Sequence, residues 1–406
     1  MGWRCGGWQI CLLRPDAVLR GWAGASGGDI FTRMKGAFSA HPQARLFLGG
    51  RLVPDLGPLG MAFAGGPFRI GGAGAVQAGP GQFETLTSGS SGAPRRIIRS
   101  VRSWTASFTV NAPLFGIAPG VQVAVLGGLE QSLALYASVE ALSLGAGLHF
   151  LAGVRPDRQR LALADHQVEI VYATPAQLRL LAEAGGPVLP LRLIVVGGSK
   201  LDDSLRAALA LLAPAATVHE FYGAAEASFI TLAGPDMPHA SVGTPYPGVQ
   251  IDLRSAGDVG QIWVKSPYLF DGYAGDDPGG AVWDQGWLSV GEMGWMKAGH
   301  LYLAGRAGRM VTVADQNVFP EPIEAFLAAL PGVDRAAVLP RPDAVRGVVL
   351  VAVLRGDPAQ AADILSAARR QFGPLKAPRA VIWLQDWPEL PSGKTDFQSL
   401  ARQVGL

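Results

Sequence analysis

The central part of the chain alternates apolar runs of strand length with longer stretches of helical pattern. A run that is apolar throughout suits a strand buried on both faces, which is typical of parallel sheets. The alternation therefore predicts an α/β fold, in which a large N-terminal domain has mainly parallel sheets covered by helices. We predict strands at 121–126, 148–151, 170–172, 191–196 and 217–220, and helices at 130–144 and 178–184.

The pattern changes twice further along the chain. Short strands bounded by glycine at 259–264 and 301–303 predict a β-rich subdomain. After Arg309 the pattern predicts a small C-terminal α+β domain of about 100 residues, a normal domain size. We divide the chain into a domain at 1–305, a hinge at 306–309 and a domain at 310–406, whose predicted helices are 323–330 and 359–372 and whose predicted strands are 336–339, 348–354 and 380–384.

The uncharged run at 103–129 is long enough to suggest a membrane span, but Asn111, Pro113, Pro119 and several glycines interrupt it. We expect buried strands and turns there and no transmembrane helix. Charged side chains also interrupt the first 24 residues, so we expect no secretory signal.

Composition narrows the class of partner. The 406 residues are 49% hydrophobic, which can fill the cores of a large and a small domain. A formal charge of +2 with 16% charged residues gives no strong field for nucleic acid or an anionic membrane, so we expect a small-molecule partner. The two cysteines, Cys5 and Cys11, cannot cross-link a chain of this size, which favours a reducing compartment and a cytoplasmic location.

A dense cluster of glycines and hydroxyls lies at 86–96, which we call the phosphate segment. Glycine exposes backbone N–H groups and hydroxyls add rotatable donors, so the segment suits phosphate oxygens. It has neither the ending of a Walker loop nor the spacing of a dinucleotide-binding turn. On composition alone, a flexible linker explains it about as well. The candidate phosphate ligands are Thr87, Ser88, Gly89, Ser90, Ser91 and Gly92.

Two further segments come directly after predicted strands. Gly197 and Gly198 follow the strand at 191–196, and the residues at 221–223 follow the strand at 217–220. Ligands of parallel sheets bind at the carboxyl ends of the strands. Both segments are therefore candidate parts of a nucleotide site.

Four motifs resemble, in order and separation, those of the adenylate-forming superfamily: acyl-CoA synthetases, aryl-CoA ligases, luciferases and the adenylation domains of nonribosomal peptide synthetases. They lie at 86–96, at 221–226, at 286–294 with Gly305 and Arg306, and at 390–396. The resemblance implies that the protein uses ATP and Mg²⁺ to activate a carboxylic acid as an acyl adenylate. It further implies transfer of the acyl group to CoA or to the phosphopantetheine of a carrier protein.

The resemblance implies a role for each matching residue. Lys394 would bring positive charge from the small domain to the reacting oxygens, and Glu226 would hold Mg²⁺; these two are the implied catalytic residues. Arg309 would be the hinge residue. The implied nucleotide ligands are Thr87, Ser88, Gly89, Ser90, Ser91, Gly92 and Arg95 for the phosphates, Gly197, Gly198, Tyr222 and Gly223 for adenine, Glu292 for the ribose, and Arg306 for the ribose or the phosphate. The open alternatives are a surface Lys394, a core-packed Tyr222 and exposed ion pairs of Glu292 and Arg306.

The family pattern is broken at several positions. Arg95 stands where relatives have lysine, which keeps the charge, and Ala225 replaces a threonine that binds phosphate. Asp315 replaces a glycine where pantetheine passes, so its carboxylate would narrow the thiol tunnel and repel CoA phosphates. Relatives also carry more chain before the phosphate segment, so we expect a reduced first subdomain, and the need for a partner chain stays open.

The segment at 125–132 matches the mouth of the family's acyl pocket and contains no histidine. Glu130 would pair with a substrate amino group if the substrate were an amino acid, although a surface or helix-capping role is favoured. Small apolar residues at 172–174 and 223–227 fit an acyl or aryl acid better than a charged one. The alternative functions are amino-acid adenylation for a carrier protein and a non-catalytic relative that binds nucleotide or acyl groups.

Overall fold

The computed structural model describes residues 36–87, 94–255, 257–275, 279–313, 316–344, 347–390 and 395–406. Several candidate residues lie outside the described residues: Ser88, Gly89, Ser90, Ser91, Gly92, Asp315, Lys394 and both cysteines. The strands are β1 Arg45–Leu48, β2 Arg51–Val53, β3 Gln82–Leu86, β4 Arg96–Ser100, β5 Gln122–Val125, β6 Gly147–Phe150, β7 Ile170–Ala173, β8 Leu193–Val196, β9 Thr217–Ala224, β10 Ser228–Ala233, β11 Thr244–Pro245, β12 Gln250–Arg254, β13 Gly260–Lys265, β14 Gly272–Tyr273, β15 Val282–Asp284, β16 Trp287–Ser289, β17 Glu292–Lys297, β18 His300–Arg306, β19 Val311–Val313, β20 Gln316–Val318, β21 Val333–Asp343, β22 Gly347–Gly356 and β23 Ala380–Trp383. The helices are α1 Val101–Phe115, α2 Ser132–Ser143, α3 Pro156–Asp165, α4 Pro175–Glu183, α5 Asp203–Leu212, α6 Pro320–Ala328, α7 Ala361–Lys376 and α8 Phe397–Gln403.

The largest sheet has nine strands in the order β11-β10-β9-β8-β7-β5-β6-β1-β2. Its neighbours from β1 to β9 run parallel, and the edge strands β2, β10 and β11 are antiparallel. The carboxyl ends of the parallel strands therefore meet at one edge of the sheet. The predicted α/β fold with mainly parallel strands is confirmed.

Both faces of this sheet are buried by helices. Side chains of one strand alternate between the faces, so Ile170 and Tyr172 join the core beneath α1 and α2, whereas Val171 and Ala173 join the core beneath α3, α4 and α5. This double burial explains why the strands are apolar at successive positions.

The expectation of strands and turns across 103–129 is wrong for its first part, where the chain forms helix α1. Ser100 caps this helix by accepting a hydrogen bond from the N–H of Ser103 at 3.2 Å, and Gly116 ends it in the left-handed region with φ of 64°. Trp104 and Phe108 recur at helical spacing and are buried. No described helix has the length and apolar character that a membrane span requires.

Strand β9 is longer than predicted. The prediction ended it at Glu220, but it continues to Ala224 because this part pairs antiparallel with β10. Tyr222 and Gly223 therefore lie within the strand, and Glu226 lies in the turn that follows it.

The β-rich subdomain is also confirmed. Strands β12, β13 and β15 to β18 form a six-stranded sheet, and β3, β4 and β14 form a three-stranded one. The first of these sheets presents Glu292 opposite Arg306 across β17 and β18, and the second presents Tyr273 opposite Ile97 across β14 and β4. The first of these pairings places the candidate residues Glu292 and Arg306 side by side.

The small C-terminal α+β domain contains the sheet β21-β22-β23, in which β21 and β22 are antiparallel and β22 and β23 are parallel. Helices α6 and α7 pack on one core of this sheet, and α8 packs on another through Leu400. The strand pair β19–β20 joins the first core through Val313 and Val318.

A carboxylic acid lies in the core of the large domain. Glu140 on α2 is fully buried and accepts hydrogen bonds from the Tyr172 hydroxyl at 2.6 Å, from Asn111 Nδ2 at 2.8 Å and from the Tyr136 hydroxyl at 3.0 Å. Burial raises the pKa of Glu140 from 4.5 to about 7, and the three hydrogen bonds oppose that rise. The core therefore contains a group that titrates near neutral pH.

Candidate active site

The first group of candidate residues gathers around Tyr222. Its side chain approaches Glu292 and Arg306, and the Nε of Arg306 lies 3.5 Å from Glu292 Oε1. The Tyr222 hydroxyl is buried, and although Glu292 lies beside it, the two do not reach normal hydrogen-bond geometry. Burial raises the pKa of the Tyr222 phenol well above its usual range, and the carboxylate adds to that effect. A buried donor without a described partner is suited to a ligand oxygen.

This arrangement bears on two alternatives that the sequence left open. Glu292 and Arg306 do form an ion pair, with the Arg306 side chain 47% exposed and the Glu292 side chain 18% exposed. The pair nevertheless lies against Tyr222, which the sequence assigned to the same nucleotide. The three residues come from β9, β17 and β18, so the fold brings together positions that are far apart in the chain.

The second group connects Glu226 with the phosphate segment. The Tyr273 hydroxyl donates a hydrogen bond to Glu226 Oε1 at 3.0 Å, and the Arg95 guanidinium lies 6.0 Å from the centre of the Tyr273 ring. Burial and the neighbouring carboxylate raise the pKa of Tyr273 to about 12, so its hydroxyl stays a donor at neutral pH. Glu226 therefore faces the strand that leaves the phosphate segment.

The two ends of the phosphate segment are joined to each other. The N–H of Thr87 donates to the Arg95 carbonyl at 2.9 Å, and the N–H of Arg95 donates to Thr87 Oγ1 at 3.1 Å. These bonds join the residues that flank 88–93, which lie outside the described residues. Thr87, Arg95 and Glu226 are thus brought together, whereas the roles of 88–92 and of Lys394 stay predictions.

The candidate glycines are required by packing. A Cβ on Gly197 would lie 2.3 Å from the Phe221 ring, and Gly198 has φ of 98°, which glycine adopts without strain. A Cβ on Gly223 would lie 2.0 Å from the Ser228 carbonyl oxygen, so the β9–β10 hairpin itself needs glycine there. Their predicted contact with adenine stays a prediction, but their residue type has a reason without it.

Arg309, the predicted hinge residue, is bound to the small domain. It lies in a short 3₁₀ helix and donates to both carboxylate oxygens of Glu324 at 2.9 and 2.6 Å and to the Val338 carbonyl at 3.3 Å. Its guanidinium also lies 4.0 Å from the centre of the Phe397 ring. Burial lowers the pKa of Arg309, but the Glu324 carboxylate outweighs burial and raises it overall.

Glu321 links the small domain to the last strand of the large one. Its Oε1 accepts a hydrogen bond from the N–H of Arg306 at 3.2 Å and lies 3.5 Å from Arg309 Nη1. A Cβ on Gly305 would lie 2.4 Å from Glu321 Oε2, so the carboxylate occupies the space above that glycine. The ribose candidate Arg306 is therefore attached to both domains.

Sequence reasoning missed Tyr273, Arg99 and Glu321. Only Arg99 left a usable signal, because alternation along β4 places it on the same buried face as Ile97. A charged residue on a buried strand face is uncommon and marks a specific partner. The sequences around Tyr273 and Glu321 do not place a charged residue on a buried strand face, so they give no comparable signal.

A cavity of about 570 Å³ lies at the same edge of the large sheet, beyond the carboxyl ends of β5, β6 and β7. Glu130, which the sequence compared with an amino-acid-binding aspartate, is exposed at its rim. The structure places it before α2, whose N-terminal cap is Gln131. The cavity is lined by Pro58, Leu126, Gly127, Gly128, Leu129, Glu130, Gln131, Phe150, Ala152, Gly153 and Gln177.

Comparison with known proteins gives two family matches. A profile described as AMP-binding enzyme matches residues 84–274, and a profile described as AMP-binding enzyme C-terminal domain matches residues 322–394. The first match includes the candidate residues of the large domain that lie between positions 84 and 274, and the second covers most of the small domain.

Individual relatives agree with these matches. The chain is 34% identical over 322 residues to an uncharacterized acyl–CoA ligase of Bacillus subtilis, across 76% of this chain and 66% of that protein. It is 30% identical over 213 residues to a 2-succinylbenzoate–CoA ligase of Lactococcus lactis, across 50% of this chain and 45% of that protein. The amide bond synthetase of Marinactinospora thermotolerans has a similar structure, with a TM-score of 0.69 and 28% identity over 80% of this chain and 69% of that one. The chain thus spans 66% and 45% of the length of the two ligases.

Proposed function

Since the chain belongs to the AMP-binding enzyme family, we propose that it is an AMP-forming acid–thiol ligase. In the first step a carboxylate oxygen of the substrate attacks the α-phosphorus of ATP, the bond to pyrophosphate breaks, and acyl-AMP forms. In the second step a thiol sulfur attacks the acyl carbonyl, AMP leaves, and the thiol proton passes to solvent. The observation that carries the proposal is that Glu226 meets the base of the phosphate segment through Tyr273 and Arg95.

The residues around Glu226 fit Mg²⁺. This ion prefers carboxylate and phosphate oxygens and commonly uses one or two carboxylates together with the phosphates of its substrate. Among the described residues, His, Cys, Asp and Glu do not gather in threes as a complete metal cage. A single carboxylate, Glu226, would therefore hold Mg²⁺ together with ATP, and the bound ion would neutralise charge on the phosphates as pyrophosphate leaves.

The group around Tyr222 supports binding of the nucleoside. The Glu292 carboxylate would accept hydrogen bonds from ribose hydroxyls, and Arg306 would hold it in orientation. The buried Tyr222 hydroxyl supplies a further donor beside that carboxylate. These roles, together with those of Lys394 and of residues 88–92, form one proposal about the site.

The cavity beside β5, β6 and β7 is our proposed site for the acid or its acyl chain. It lies along the sheet edge that also carries Gly197 and Gly198, so a carboxylate there would be near the phosphates. Its exposed Glu130 does not by itself select an amino acid. We propose an acyl or aryl acid as substrate.

We propose CoA as the acceptor, because the related ligases named above act with CoA. Phosphopantetheine on a carrier protein is the alternative thiol, and an amine is a further acceptor to test because of the amide bond synthetase. The proposed location is the cytoplasm, on the argument from the two cysteines alone.

Carboxylate-dependent exchange of pyrophosphate into ATP by the full chain tests the proposal directly. We expect exchange with members of a panel of fatty and aryl acids, and a stable product only after CoA is added. Glu226→Gln should reduce the rate of pyrophosphate exchange at least roughly tenfold. Removing a residue that only supports a metal ligand already causes a loss of about this size. Asp236→Asn, at an exposed carboxylate outside the site, is the matched control.

Other outcomes select the alternatives. Exchange with amino acids only would favour amino-acid adenylation. Product formation with an amine but not with CoA would replace the thiol acceptor. A folded protein that binds ATP but exchanges no pyrophosphate with any acid would contradict the ligase and favour the non-catalytic relative.

A further inference from the structure

Arg99 on β4 is fully buried although it carries a charge. Its guanidinium donates hydrogen bonds to the carbonyl of Ala225, to Ser228 Oγ at 2.7 Å and to the carbonyl of Tyr268. Burial lowers the pKa of Arg99 to about 10, and the nearby carboxylate of Glu226 opposes that shift. The side chain is therefore a protonated cation at neutral pH that donates to neutral acceptors and lies near the carboxylates of Glu226 and Asp271.

Two of the three acceptors of Arg99 flank Glu226, which lies in the turn between β9 and β10. Ala225 comes just before the glutamate, and Ser228 comes two residues after it. Ser228 has φ of 57°, a left-handed conformation that is uncommon outside glycine. The carbonyl of Glu226 itself accepts a hydrogen bond from the N–H of Phe270 at 2.8 Å. The backbone on both sides of Glu226 is thus held in place, which fixes the direction of its Cα–Cβ bond.

A purely structural role is a costly explanation for this arginine. Burying a guanidinium carries a large desolvation penalty, and an apolar side chain of similar volume often serves stability as well or better. The hairpin is already closed by backbone pairing between β9 and β10. Arg99, in contrast, lies on the strand that leaves the phosphate segment and reaches the turn that carries Glu226.

We propose that Arg99 is a positioning residue that holds the Glu226 carboxylate beside Tyr273 and Arg95, so that Mg²⁺ and ATP bind together. The inference rests on the proposed function. It assigns to Arg99 no contact with substrate, since the side chain is fully buried and its two terminal nitrogens donate to Ala225, Ser228 and Tyr268. Its effect is on the affinity for the metal–nucleotide complex.

The test measures ATP binding by calorimetry with and without Mg²⁺, in the full chain and in the variants Arg99→Met, Arg99→Lys and Ser228→Gly. We expect Arg99→Met to weaken the Mg²⁺-dependent part of ATP affinity about 10- to 100-fold, as loss of a metal ligand's partner does. Arg99→Lys should recover part of the loss, because it restores the charge but not the forked geometry. Ser228→Gly removes one acceptor while accommodating the positive φ, so it should give a smaller shift.

Arg192→Met is the matched control, because Arg192 also donates to two carbonyls, those of Phe115 and Gly116, at 2.8 Å each. It should lower the midpoint of thermal unfolding without changing the Mg²⁺ dependence. If Arg99→Met lowers stability but leaves the Mg²⁺ dependence as in the parent chain, Arg99 is merely structural and the inference is overturned. If Arg99→Met does not fold, unchanged Mg²⁺ dependence in both Arg99→Lys and Ser228→Gly overturns it equally.

The same binding experiment separates this inference from the proposed function. A parent chain that binds ATP with Mg²⁺ but exchanges no pyrophosphate would contradict the ligase while leaving the positioning role measurable. A parent chain whose ATP affinity does not depend on Mg²⁺ would overturn the positioning role directly.

Discussion

At the scale of single residues, the proton affinity of Glu140 differs strongly between the folded and the unfolded chain. An unfolded glutamate titrates near 4.5, whereas the pKa of the buried group is about 7. Between these values the folded state binds more protons, so the free energy of unfolding falls as the pH rises through this window and levels off above it. A shift of this size corresponds to roughly 3 kcal/mol.

We expect Glu140→Gln to remove this part of the pH dependence. The amide keeps the size of the side chain and an oxygen that accepts from Asn111, but it does not ionise. Urea unfolding measured at about pH 5 and about pH 8 should show that the parent chain loses roughly 3 kcal/mol more than the variant over this interval. Equal losses in the two proteins would show that Glu140 does not take up a proton on folding.

The sequence identified candidate ligands one at a time but did not predict the contacts between them, and the structure shows why. Tyr222, Glu292 and Arg306 were each recognised from a local motif, but their mutual contacts depend on how β9 meets the β17–β18 pair. Tyr273 and Arg99 were missed because their hydrogen-bond partners, Glu226 and Ala225, are distant from them in the chain. Spacing along a sequence reports local structure and carries little information about such pairs.

At the scale of helices and strands, the sequence predicted most of the large sheet because its strands are apolar on both faces. The prediction failed where a distant pairing strand or a helix cap determines the secondary structure. Helix α1 was read as strands because Pro113 and the glycines suggested breaks, whereas Ser100 and Gly116 cap a helix between them. Strand β9 was cut short because polar and glycine residues follow Glu220, whereas pairing with β10 continues it.

The attachment of α6 to β18 through Glu321 gives a prediction at this scale. Glu321→Ala removes the hydrogen bond to the N–H of Arg306, and a bond to a charged group contributes about 1.5–3 kcal/mol. We expect the connection between the domains to open more often, so that trypsin cleaves after Arg306 and Arg309 severalfold faster. Electrophoresis of a timed digest measures this, with exposed Asp363→Ala as the control. Indistinguishable digests of Glu321→Ala and the parent chain would contradict the linking role.

At the scale of the whole molecule, the proposed reaction requires that the small domain deliver Lys394, which lies outside the described residues, to a site on the large domain. If Lys394 contributes as one preorganised electrostatic donor, Lys394→Ala should slow adenylation by about 10²–10³-fold, or roughly 3–4 kcal/mol. ATP affinity should change much less, because the donor acts mainly in the transition state. Single-turnover formation of acyl-AMP measures the rate, and Arg369→Ala at an exposed position of α7 is the control. A parallel loss of rate in both variants would show a general defect of the small domain.

The anchoring of Arg309 limits where the chain can bend. Because its guanidinium contacts Glu324, Val338 and Phe397, Arg309 would move with the small domain in the proposed hinge motion. Arg306 pairs into β18 opposite Glu292 and would stay with the large domain. In that motion the Glu321 bond to the N–H of Arg306 would open, and the torsion angles of Ala307 and Gly308 would absorb the change, since a Cβ on Gly308 would meet no atom within 4 Å. The proposed hinge would then be confined to these two residues.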